Sequence, residues 1–304
     1  MQFIPLASGL LFVSSLTLTF ADAAWAASRD SRQIAARAAP AQTGEKQTIS
    51  YGTDRLQSLD FHAARNTRGP APLVVFVHGG GWARGDKDNA TGKAKAPHYT
   101  GLGYNFATIN YRLVPEATVE QQAEDVASAV KALLDRASAL GIDRSRVVLM
   151  GHSAGAHLVA LVGTDPTYLQ AAGLSERDIA GVIPIDGAAY DVPAQMKAAR
   201  GPWLGNLFGT AFGTDPARQR ALSPTLQAAK PNAPAFLILH VQRADGIRQS
   251  NGLADALSKA GADVTVKPFP GKGLKGHMTI NRSLGDPDYV ATPVVDEWLK
   301  RIFR

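Results

Sequence analysis

Ser153 stands in Gly151-His152-Ser153-Ala154-Gly155, after the apolar run Val147-Val148-Leu149-Met150 and before apolar residues at helical spacing, Leu158 and Leu161. A serine hydroxyl held on a sharp strand-to-helix turn can attack a carbonyl carbon, and this flanking context separates such a nucleophile elbow from a chance Gly-x-Ser-x-Gly. The turn demands strained dihedrals at the serine, and glycines on either side remove side chains that would collide across it. The helix that follows points free N–H groups and the positive end of its dipole at the hydroxyl. Taken alone, the same five residues suit any glycine-rich turn, so the rest of the chain must decide.

A serine hydroxyl needs a base to take its proton and a carboxylate to orient that base. In open α/β sheets these groups come from loops beyond the C-terminal ends of the strands. The run Ala235–Val241 is followed by Asp245 in the Gly-containing stretch RADG, and Val264–Phe269 by His277 in GKGLKGH. This rule selects Ser153, Asp245 and His277, in that order. Asp186, which ends Gly181–Asp186, is the rival acid. Asp263 opens its strand at the wrong edge, and Asp286 and Asp288 lie past the histidine, where caps and loops use acids. His78 and His152 lie inside Gly-rich motifs and suit hydrogen bonds that hold their loops. His157 suits packing, and His240, inside an apolar strand, suits the core. No His-x-x-x-His pair occurs, so neither a metal nor a cofactor is expected.

A second Gly-rich element supports the same chemistry. The buried-strand pattern Leu73–Val77 ends in His78-Gly79-Gly80-Gly81-Trp82. Consecutive glycines let backbone N–H groups approach a ligand closely, as a tetrahedral oxyanion requires. A phosphate loop would need a following Gly-Lys-Ser/Thr or Gly-x-Gly-x-x-Gly spacing, and neither is met. Trp82 stands where it can line the pocket or pack in the core.

These residues need a frame. The chain's 304 residues, 45% hydrophobic and 19% charged, suffice for one large α/β domain or two small ones. Net charge is +6, but the basic residues are scattered, so no nucleic-acid partner is expected. Cysteine is absent, which excludes disulfides and thiol nucleophiles. Residues 1–27 combine an apolar stretch with the small-x-small triplets Ala21-Asp22-Ala23 and Ala24-Trp25-Ala26, the pattern of a cleaved signal peptide. Export to a periplasm or the medium, with no membrane anchor left after cleavage, is the expectation; an uncleaved anchor is the alternative. Residues 28–46 read as a polar lead-in.

From Thr48 onward, strand patterns alternate with helical ones: a hairpin at Gln47–Tyr51 and Ser58–His62, a strand at Asn105–Asn110 and a helix over Val119–Leu140 stopped by Gly141. Further helices are expected over Gln249–Gly261 and Asp288–Phe303. This alternation predicts a mainly parallel sheet with helices on both faces over 47–304. Residues 187–232, with Tyr190, Trp203, Phe208 and Phe212 and little periodicity, suit a small cap over the sheet's C-terminal edge or plain surface packing.

Together these motifs resemble the α/β-hydrolase-fold carboxylesterases, in particular the hormone-sensitive-lipase-like branch. His78-Gly79-Gly80-Gly81-Trp82 looks like that branch's oxyanion motif. Tyr111-Arg112-Leu113-Val114-Pro115-Glu116, with Asp125 after it, is similar to its Tyr-Arg-Leu-Ala-Pro-Glu stretch. Gly151-His152-Ser153-Ala154-Gly155-Ala156-His157-Leu158 also resembles the elbow of bacterial esterases related to kynurenine formamidases. The resemblance implies an oxyanion hole from the N–H groups of Gly80, Gly81 and Ala154, and hydrolysis of short acyl or aryl esters through an acyl-enzyme. Arylformamide hydrolysis and an inactive binding module are the alternatives.

Overall fold

The computed structural model describes residues 46–199, 201–229 and 231–304. The expected signal peptide and all but the last residue of the lead-in lie outside the described residues. Eight strands form one sheet in the order β1-β2-β4-β3-β5-β6-β7-β8. They are β1 (Gln47–Ser50), β2 (Ser58–His62), β3 (Ala71–Val77), β4 (Asn105–Ile109), β5 (Ile142–His152), β6 (Gly181–Ile185), β7 (Ala235–Gln242) and β8 (Asp263–Lys272). β1 and β2 form an antiparallel hairpin and β2 runs antiparallel to β4, whereas every pairing from β4 across to β8 is parallel. Every position of β3, β4 and β6 is buried. Covered on both faces, such strands read as unbroken apolar runs. β8 is an edge strand, and its Pro268 and Pro270 fit that place because an edge can spare a ladder N–H.

The helices are α1 (Lys95–Gly101), α2 (Val119–Asp135), α3 (Ala137–Leu140), α4 (Ala154–Thr164), α5 (Pro166–Ala171), α6 (Val192–Ala198), α7 (Pro202–Phe212), α8 (Pro216–Ala221), α9 (Pro224–Gln227), α10 (Ala244–Lys259), α11 (Gly273–Ser283) and α12 (Thr292–Ile302). The single helix expected over Val119–Leu140 is two. Thr118 and Gln121 form a capping box that starts α2, Arg136 leaves helical geometry, and α3 ends at Gly141 with φ 65°. Strand alternation sends Leu73, Val75 and Val77 into one core with Val126, Val130 and Leu158. Val74 and Phe76 face the other core, with Val148, Met150, Trp298 and Leu299.

Register sets the functional rim. Val77 pairs with Gly151, His152 with Ile185, and Ile185 with Leu239. The residues that follow on β3, β5 and β6, namely His78, Ser153 and Asp186, therefore leave the sheet along one line. The segment between β6 and β7 folds into α6, α7, α8 and α9. Other boundaries move too, among them the start of the last helix, at Thr292 instead of the expected Asp288. α10 begins at Ala244, five residues before the expected Gln249, and α11 takes in His277, expected in a loop.

Candidate active site

The elbow is built by close packing. Ser153 has φ 57° and ψ −117°, a strained conformation for a residue with a side chain. A Cβ on Gly151 would lie 2.3 Å from the Gly155 carbonyl oxygen, and one on Gly155 would lie 2.2 Å from that of Val77. Both glycines are thus required by the approach of α4 to β3 and β5. The Ser153 N–H donates to the Ile185 carbonyl at 3.1 Å, fixing the turn to the next strand. Ala154 is the first residue of α4, so its N–H belongs to the unsatisfied end of that helix.

The structure brings Ser153 and His277 together: His277 Nε2 lies 3.0 Å from Ser153 Oγ. The acid behind the histidine is Asp186, with its Oδ2 2.6 Å from His277 Nδ1. This corrects the sequence expectation of Asp245. α10 starts at Ala244 and draws Asp245 into its first turn, where a carboxylate complements the helix dipole. From there it meets the Arg243 guanidinium at 3.4 Å. Arg243 also reaches Asp186, with Nε 3.0 Å from Oδ2, so the arginine bridges the two acids. Gly246, which looks like loop material in sequence, is helical, and a Cβ there would stand 3.3 Å from Asp186 Oδ1.

Asp186 is fully buried, has φ 44°, and accepts a further bond from the Val241 N–H at 3.1 Å. Burial alone would raise its pKa. The His277 bond, the Arg243 charge and the Val241 N–H outweigh that, and the pKa is lowered from the ordinary carboxylate value. An ionised Asp186 accepts a hydrogen bond from the Nδ1–H of His277, which keeps the proton on Nδ1 and leaves the Nε2 lone pair facing Ser153, the tautomer a general base needs.

Other histidines hold this arrangement in place. His152 Nε2 donates to the His277 carbonyl at 2.9 Å, and the two rings lie 4.4 Å apart. Burial and the neighbouring His277 push its pKa well down, so it is a neutral donor. His78 stacks on Tyr111 at 4.4 Å, and the Tyr111 hydroxyl donates to the His78 carbonyl at 2.9 Å. Arg112 grips the buried Asp125 through both Nε and Nη2. His157 Nε2 donates to the Leu222 carbonyl at 2.8 Å, tying α4 to the segment between β6 and β7.

A further residue, Lys95, carries no signal in the sequence, where it sits in a polar stretch. It is fully buried over the Phe76 ring, and its Nζ donates to the carbonyls of Thr91 and Asn281 and to Asn281 Oδ1. Burial pulls its pKa down to about 7; the three acceptors oppose that, since a neutral amine has only two N–H groups to give. Asn281 stands one turn beyond His277, so Lys95 anchors the helix that carries His277.

Two cavities open on Ser153. The first, about 630 Å³, lies between Ala154, Trp82, His277 and the α7 residues Leu204, Leu207 and Phe208. The second, about 510 Å³, is bounded by the Gly79-Gly80-Gly81 loop, His152, Ser153 and α11. Gly80 (φ 139°) and Gly81 (φ 62°) adopt conformations that favour glycine, and Trp82 (φ 61°) follows them. Trp82 does both things its position allowed. It borders the first cavity, and its ring is buried against Phe212 at 4.8 Å and His157 at 5.5 Å.

The chain is 26% identical over 243 residues to the Arabidopsis thaliana "Probable isoprenylcysteine alpha-carbonyl methylesterase ICMEL1", covering 75% of this chain and 50% of that protein. It is 33% identical over 132 residues to the Drosophila melanogaster kynurenine formamidase, 42% of each chain. The chain thus spans about half the length, or less, of these curated relatives. Among solved structures, esterase B from Lactobacillus rhamnosis superposes with a TM-score of 0.69 at 22% identity, covering 93% of this chain and 92% of that one, and so shares its α/β-hydrolase fold. The BD-FAE family model matches residues 59–257, well over half of the sequence, and the chain belongs to the BD-FAE family.

Proposed function

We propose that this protein is a serine carboxylesterase that hydrolyses short acyl or aryl esters. One observation carries the reading: the hydrogen-bonded relay from Ser153 Oγ through His277 to Asp186, facing an open cavity. Ser153 Oγ attacks the ester carbonyl carbon while His277 Nε2 takes its proton. The resulting oxyanion sits among the N–H groups of Gly80, Gly81 and Ala154. One such donor is worth about 3–4 kcal/mol of barrier. Collapse expels the alcohol, which receives the proton from Nε2, and leaves an acyl-enzyme on Ser153. Water, deprotonated by the same imidazole, then attacks the acyl carbon and releases the acid. Asp186 stays ionised throughout and stabilises the imidazolium.

A second reading, hydrolysis of an arylformamide, is favoured by the similarity to the Drosophila kynurenine formamidase. Export by the N-terminal segment, followed by its cleavage, is part of the proposal and rests on the pattern in residues 1–27. The test is a parallel assay of 4-nitrophenyl esters of increasing acyl length and of N-formylkynurenine, with Ser153→Ala as control. Fast turnover of the short esters, lost in the variant, supports the carboxylesterase. A strong preference for the formamide replaces it with the second reading.

A further inference from the structure

The two cavities at Ser153 differ in charge. In the first, the Arg243 guanidinium is already paired with Asp186 and Asp245. In the second, Arg84, just after the glycine loop, and Arg282, on α11, border the cavity, and no acidic residue lines the wall. Neither guanidinium has an ion-pair or hydrogen-bond partner among the described residues. The acids nearest in sequence are engaged elsewhere. Asp88 binds Lys87 and Lys46, Asp86 accepts from the Asp88 N–H and from Asn110, and Asp286 accepts from the Asp288 N–H. Behind the wall lies a third basic group, Lys95 Nζ. It is held by Asn281, and a Cβ on Gly92 would come within 3.1 Å of it. Asn281 and Gly92 both border the cavity.

Two unpaired arginines at the border of a concave wall raise the local concentration of anions there, and a guanidinium's planar fork matches a carboxylate. On the esterase reading proposed above, we infer that the second cavity seats a carboxylate on one half of the ester. The substrate class is then an ester with a free carboxylate beside the scissile bond, in the acyl or in the alcohol half. Arg84 and Arg282 are specificity-determining residues for that class.

The experiment compares isosteric pairs. For the alcohol half, 4-acetoxybenzoate is set against 4-acetoxybenzamide. For the acyl half, the mono-4-nitrophenyl ester of adipic acid is set against the same ester of adipic acid monoamide. The expected result is a kcat/KM ratio, carboxylate over amide, of about tenfold in one pair, declining as salt is added. The ratio drops towards one in the Arg84→Gln/Arg282→Gln double variant, and both positions are exposed enough to be substituted without loss of the fold. Ratios at or below one in both pairs overturn the inference, as does a preference that survives the double substitution. Hydrolysis of none of the four esters, nor of 4-nitrophenyl acetate, would instead overturn the esterase reading itself.

Discussion

Arg243 stands between the two acids that the chain offers beside His277, and its position explains why they are not equivalent. Asp186 is fully buried with three partners aimed at its oxygens, whereas Asp245 is about one-third exposed and touches only the arginine's far edge. Asp186→Asn should therefore lower kcat by about three to four orders of magnitude, because the amide no longer holds the proton on Nδ1. Asp245→Asn should cost less than about tenfold, since it only loosens one contact of Arg243. Steady-state kinetics on one short ester decide the matter, and the reverse ranking would mean that His277 takes its orientation elsewhere. At this scale, Ser153 and His277 were legible from motif and strand order. The acid was not, because GVIPID and AFLILHV-x-RAD show the same pattern of an apolar run and then an aspartate. What separates them is where the following helix begins, and Gly246 conceals that start by looking like a loop residue.

Elements transmit constraints to the site through a few tight contacts. α4 approaches β3 so closely at Gly155 that one methyl group must displace the Val77 and His78 carbonyls. Gly155→Ala should destabilise the protein by about 1–3 kcal/mol and lower kcat with it, because those carbonyls carry the glycine loop. Thermal melting and kinetics on the same preparation check this; an unchanged Tm would contradict the packing described. α11 is anchored from beneath by Lys95. Lys95→Met removes the donor from Asn281 Oδ1 and from two backbone carbonyls, at a cost of about 1–3 kcal/mol. Because Asn281 and His277 share one helix face, kcat should fall more than KM rises; a pure stability loss with intact kcat would show that α11 holds its place without the lysine. The central strands were readable since burial on both faces leaves a continuous apolar run. Lys95 was not, because nothing in a lysine's neighbours along the chain reports that tertiary structure has closed over it.

For the whole molecule, the sheet's register assembles the rim, and the buried histidines set its tolerance to acid. His78 and His157 have pKa values lowered to about 4 by burial, against about 6.5 in the unfolded chain. Between these values the unfolded chain binds protons that the folded one refuses, so stability is full above about pH 6.5 and declines as pH falls towards 4. Each histidine accounts for up to roughly 3 kcal/mol of that decline. A Tm series from pH 8 to 4.5 should slope downward below pH 6.5, and a flat series would contradict the burial of these rings. The proposed chemistry, however, depends on one oxygen atom, Ser153 Oγ. A fluorophosphonate reagent, followed by peptide mapping, reports which hydroxyl is activated. The expected outcome is a single adduct on Ser153, absent in Ser153→Ala and formed far more slowly in Asp186→Asn. An adduct on another residue, or ester turnover that persists without any adduct, would contradict it.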